Sequence, residues 1–138
     1  MEASKDMDRV IDVLMLAGTL LLESGSEIHR VEDTMIRIAH SQGIDDCNAL
    51  AMPVAIFFSI ENANITRMKR ILRTNYNIEK VCDVNQISRQ LVSGHINLEE
   101  AYQALIQLKQ KAVPYTNPQL TIAATLSAPF FSIMFGGN

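Results

Sequence analysis

Hydrophobic residues are spread along this chain in three distinct patterns. From Asp8 to Glu23 they stand on nearly every side of a helical wheel, and Val13 to Leu22 reads VLMLAGTLLL. A helix that is apolar all round must be covered on all sides, so the pattern predicts a central helix. The apolar stretch is too short to cross a bilayer. Beyond it Ile28, Val31, Met35 and Ile38 recur at helical spacing and predict a second helix with one face on a core. Ser24 and Glu27 fit an S-x-x-E capping box before it, and Gly43 offers a left-handed stop after it.

The pattern then shortens. Asn48 to Ile60 reads NALAMPVAIFFSI, apolar and partly β-branched, with Pro53 in the middle. This predicts two short strands, or one strand with an edge break. Glu61 to Asn64 is a turn signal, and Ile65 to Leu72 alternates cations with Ile and Met as a third strand would. Helical punctuation returns at Asn77, which can cap a helix over 78–93 that Gly94 ends. Asn97 and Glu100 repeat the capping logic for a helix reaching about Lys111. The expected fold class is α+β, helices packed on a small antiparallel sheet, with residues 1–113 as one soluble domain.

The last charged residue is Lys111. Pro114 and Pro118 make a short linker, and Leu120 to Gly137 then reads LTIAATLSAPFFSIMFGG. That is about the length at which a membrane span begins, and small residues with a proline suit a packed transmembrane helix. A buried C-terminal helix of a soluble domain fits the same residues. If 114–138 is a linker and the start of a span, Lys109 and Lys111 before it keep the N-terminal domain in the cytoplasm.

Composition narrows the function classes. A net charge of -3 argues against a nucleic-acid partner, which calls for a broad basic excess; the cations at Arg67, Lys69, Arg70 and Arg73 are local. Cys47 and Cys82 have no CxxC spacing and no histidine cluster near them, which fits reduced thiols and supports no structural metal. The mixed-charge opening MEASKDMDR does not resemble a secretory signal. No phosphate loop, dinucleotide fingerprint, metalloprotease helix or nucleophile elbow is present, so no cofactor is expected.

Candidate chemistry gathers in Glu23 to Asp33, ESGSEIHRVED. His29 and Glu32 are three apart on a helix and can supply two metal ligands, with no evident third. Ser24 or Ser26 with His29 as base would make a hydrolase arrangement. Against both stands a structural account: Ser24 and Glu27 as caps, and Glu27 with Arg30, and Asp33 with Arg37, as helix-surface ion pairs. A second polar cluster, Asn85, Ser88 and Arg89, shares a face of the third helix and suits a carboxylated ligand. If Glu27, Arg30 and Glu32 meet that face, the two helices enclose a charged pocket for a zwitterionic amino acid. Arginine would grip its carboxylate and a glutamate its ammonium.

Several short motifs, in order along nearly the whole chain, carry a family likeness. The run from Ala17 to Thr34 (A-G-x-L-L-L-E-S-G-x-E-x-x-R-V-E-D-T), T-R-M-K-R at Thr66 to Arg70, V-N-Q-I-S-R at Val84 to Arg89 and Pro114-Tyr115 resemble the N-terminal domain of the threonine/serine exporter family. The resemblance implies a non-enzymatic component of a membrane exporter of small polar metabolites, threonine and serine or in some relatives dicarboxylates. It also implies, for split members, a second small membrane subunit as partner. Phe135 to Gly137 resembles the family's first-span motif, after which family members continue through further spans. On this reading the chain is the cytoplasmic domain and first span of such an exporter, and one span cannot by itself enclose a pathway.

Overall fold

A computed structural model of the chain describes residues 2–110. Four helices and a three-stranded antiparallel sheet follow one another as α1 (Glu2–Glu23), α2 (Ile28–Ser41), β1 (Cys47–Met52), β2 (Ala55–Ile60), β3 (Ile65–Arg70), α3 (Ile78–Val92) and α4 (Leu98–Gln110). The α+β class is therefore as expected. None of these helices is long and apolar enough to cross a membrane, and the expected C-terminal span lies outside the described residues.

The all-round apolar helix is central. α1 packs on α2, α3, α4 and β2, and Val10, Ile11, Val13, Leu14, Ala17, Leu20, Leu21 and Leu22 are all buried. It starts several residues earlier than the apolar pattern suggests, because the polar first turns lie outside the hydrophobic signal. α2 buries Val31, Met35, Ile38 and Ala39 against it, and Ile28 is half-buried beside that face. The two helices approach closely at Gly18, where an added Cβ would stand 2.7 Å from Met35 Sδ.

The sheet has strand order β1-β2-β3. Pro53 and Val54 form the tight connection between Met52 and Ala55, a place where proline needs no ladder donor, so the two-strand reading holds. Glu61 to Asn64 link Ile60 to its partner Ile65, with Asn64 at φ 52, a left-handed position that asparagine tolerates. Ile56, Phe58 and Ile60 point inward and are buried. The third strand ends at Arg70 rather than Leu72; Ile71 N–H instead donates to Val54 O at 2.8 Å.

Two helix starts agree with the sequence. Asn77 Oδ1 accepts from Lys80 N–H at 3.1 Å, and Asn97 and Glu100 exchange reciprocal bonds of 2.8 and 2.9 Å. Gly43 and Gly94 follow α2 and α3 at positive φ. The Ser24–Glu27 box does not form. Glu27 is itself the N-cap of α2 and makes no side-chain cap bond, while Ser24 is buried in the preceding turn. That turn is held from elsewhere: Asn75 N–H donates to Glu23 O at 2.7 Å and Asn77 N–H to Ser24 O at 3.1 Å. Because α2 starts at Ile28, Ser24 stands three residues before the cap position, out of register for a reciprocal exchange with Glu27.

Two expectations test this packing. Gly25 has φ +91 with the Tyr76 ring over it, so Gly25→Ala should cost about 1–2 kcal/mol from left-handed backbone strain. Tyr76→Ala in the same chain should recover only the part of the loss due to the ring that the added Cβ would meet, and leave the part due to φ; urea unfolding measures both. Glu32 Oε2 accepts from Ala51 N–H at 2.8 Å, an edge-strand donor that β2 does not use. Glu32→Ala should therefore cost about 1–2 kcal/mol, and Glu32→Gln, which keeps an acceptor, clearly less. Equal losses for the two would show that the bond is not what matters.

Candidate functional site

Helical spacing puts Arg30, Asp33, Thr34 and Arg37 on one face of α2, in steps of three, one and three residues. Asn85, Ser88, Arg89 and Val92 repeat that spacing on α3. The two faces meet and line one open groove of about 690 Å³, closed at one end by Ser93. The apolar backs of both helices cause this: Val31, Met35 and Ile38 on α2, and Val84, Ile87 and Leu91 on α3, are buried in the shared core. Each polar face then flanks the other.

Within the groove Arg37 Nε pairs with Asp33 Oδ2 at 3.0 Å, the i,i+4 pair expected from the sequence. Arg30 and Arg89 are exposed and have no ion-pair partner among the described residues. Three guanidiniums against one carboxylate leave two positive charges over. Ser88 is buried, and its hydroxyl donates its one proton to Asn85 O at 2.9 Å, which leaves its oxygen as an acceptor only. The groove thus offers two forked cations without an ion-pair partner among the described residues and a carboxamide, a set that matches a carboxylate, and a Ser88 oxygen that suits a donor such as an ammonium.

Of the six residues singled out from the sequence, Arg30, Asn85, Ser88 and Arg89 line this groove. Glu27 and Glu32 do not. Glu27 caps α2 at its start, and the anticipated Glu27–Arg30 pair is not among the ion pairs of the described residues. Glu32 turns toward β1 to hold Ala51. The groove's acid is instead Asp33, with Thr34 and Arg37 beside it. The i, i+3, i+4, i+7 recurrence from Arg30 is the sequence signal for all three, and the Asp33–Arg37 pair lies within it.

The other chemical readings find less. Ser24 is buried while the His29 side chain is 96% exposed, and no hydrogen bond joins them among the described residues. His29 Nδ1 stands 3.9 Å from Glu32 Oε1, and no group of three His, Cys, Asp or Glu residues suited to a metal forms among the described residues. Burial, then the neighbouring Asp46 and Asp45 carboxylates, push the Cys47 thiol up, so it stays protonated and is a poor nucleophile at neutral pH.

Comparison with known proteins adds the family. The model describing the threonine/serine exporter family matches residues 12–138. A Mycobacterium tuberculosis (strain ATCC 25618 / H37Rv) protein named "Probable threonine/serine exporter" is 20% identical across 94% of this chain. The chain spans about a quarter (25%) of that relative's length. No solved structure matches significantly. The match runs through α2 and α3, and so through both walls of the groove: the chain belongs to the threonine/serine exporter family.

Proposed function

We propose that this chain is the cytoplasmic domain and first membrane segment of a non-enzymatic exporter of small polar metabolites, and that the α2–α3 groove receives the carboxylate of the transported molecule. The family match over residues 12–138 supports the exporter reading. The groove reading rests on one observation: Arg30 and Arg89, neither in an ion pair among the described residues, face one groove from two helices. In this role Arg30 and Arg89 hold a carboxylate, the Asn85 carboxamide orients it, and Asp33 exchanges its Arg37 contact for a ligand ammonium. Threonine and serine carry both groups.

The leftover double positive charge favours a second substrate, a small dicarboxylate, which satisfies both free arginines and leaves the Asp33–Arg37 pair intact. Residues 114–138 supply the linker and the start of the span. Lys109 and Lys111 hold the domain on the cytoplasmic side, and further spans, in this protein or in a small partner subunit, complete the pathway.

Calorimetric titration of the full chain in detergent with threonine, serine and succinate tests the groove. Binding in the millimolar range or tighter is expected. Arg30→Ala and Arg89→Ala should each weaken it by roughly tenfold or more, the equivalent of one charge-assisted contact. No binding at millimolar ligand, or affinity unchanged in both variants, would leave the groove a structural surface. Succinate binding that survives Asp33→Asn, with threonine binding lost, would select the dicarboxylate.

A further inference from the structure

The sheet has a second face, turned away from the helices. Register places Leu50, Phe57 and Met68 in one row across it, Met52, Ala55 and Arg70 in the next, and Asn48, Ser59 and Thr66 in the last. The first two rows are mostly apolar yet open to solvent: Leu50 is 52% exposed, Met68 59%, Met52 40%, and Val54 in the adjoining turn 58%. Ala55 is buried and Phe57 half-buried in these rows, while Leu50, Met52 and Met68 stay exposed, and large apolar side chains gathered in this way mark a contact surface.

Charge is sorted along the same sheet. Cys47 to Ile60 holds no charged residue, and residues 62–78 hold Arg67, Lys69, Arg70 and Arg73 with no acid, in a chain of net charge -3. Asp45, Asp46 and Glu61 all sit at the opposite end, where Asp46 holds the β2–β3 turn through Asn62 N–H. The end carrying Met52, Val54, Arg70 and Arg73 is therefore basic and apolar together. Cations on β3 also guard a free sheet edge against strand pairing. That role covers Arg67 and Lys69, but not Arg73 beyond the strand or the exposed apolar residues of β1.

The path of the chain supplies a third observation. Lys109, in the last turn of α4, lines the same groove as Arg67, Met68 and Lys69. The described domain thus ends across that groove from β3, with α1 between them along its floor, and the sequence after Lys111 is neutral and largely apolar.

We propose that the outer sheet face, at its Pro53–Val54 end, docks on an anionic bilayer surface. Leu50, Met52, Val54 and Met68 enter the interfacial layer, and Arg70 and Arg73 bind headgroup phosphates. This rests on the reading that residues 114–138 enter the same bilayer: tethered by that tail, the face meets the lipid at high effective concentration. Each cation near an anionic surface strengthens the contact roughly fivefold. A second copy stacked on this face would instead bring two sets of like charges together. Docking of this kind would fix how the α2–α3 groove is presented to the rest of the exporter.

The full chain in nanodiscs tests this, with phosphatidylcholine alone or mixed with phosphatidylglycerol, and brominated acyl chains as quencher. Cys47→Ser and Cys82→Ser provide the background for a polarity-sensitive fluorophore at Val54→Cys, Met68→Cys, Gln103→Cys on the exposed side of α4, or Ser127→Cys in the tail. Circular dichroism confirms that each variant is folded. In the mixed lipid, the labels at 54 and 68 should shift to the blue and be quenched several-fold more than the label at 103. Adding Arg70→Glu with Arg73→Glu should abolish this while leaving the label at 127 quenched. Water-like emission at 54 and 68 with quenching at 127 overturns the docking and spares the tail. An unquenched label at 127 sinks the tail reading on its own. A blue shift at 54 and 68 without lipid quenching, accompanied by energy transfer between chains, means a second copy covers the face and also overturns the proposal.

Discussion

The need to cover α1 on all sides governs the rest of the fold. A helix whose Val10, Ile11, Val13, Leu14, Ala17, Leu20, Leu21 and Leu22 are buried on several sides cannot rest against a single neighbour, so α2, α3, α4 and β2 all pack on it. Gly18 lets α2 come close enough to seal one side, since any larger residue there would meet Met35. On another side Arg9 ties α1 to α4, through Glu99 at 3.4 Å and by lying 4.1 Å above the Tyr102 ring. The interior is continuous, and each outer element has one committed face.

The two candidate contact surfaces are what those committed faces leave over. α2 and α3 turn their apolar stripes to α1, so their polar stripes meet side by side and form the groove. The sheet turns Ile56, Phe58 and Ile60 to α1, and Leu50, Met52 and Met68 stay exposed. One surface is rich in arginine with little acid, and the other is apolar with arginines at one end. On the proposed readings they take different partners: a small anion, and an extended anionic surface.

Backbone ties between distant elements explain why some residues mislead when read from local pattern. Glu32 looks like a ligand because it stands one turn from His29, yet its carboxylate serves the free edge of β1 through Ala51. Ser24 looks like a cap because Glu27 stands three residues later, yet its carbonyl is held by Asn77 at the start of α3. For Glu32 a long-range donor uses the carboxylate that local geometry had appeared to claim, and for Ser24 the start of α2 at Ile28 puts Glu27 in the cap position and leaves Ser24 outside it.

The sequence by itself determined the elements and their order. Short-range signals sufficed: the full apolar wheel of α1, the helical spacing of Ile28 to Ile38, Pro53 between two strands, and the Asn77 and Asn97 caps. It also placed Asn85, Ser88 and Arg89 on one helical face, since 3.6-residue periodicity needs no tertiary information. Only the tertiary structure decided which faces meet. Arg30 and Arg89 share a groove because α2 and α3 both lie on α1, and Glu32 is kept out of it by its bond to Ala51 on β1. The same holds for the sheet. Alternation predicted two faces for β3, but which lost its cover was settled by where α1 lay, since burial belongs to packing and not to the strand.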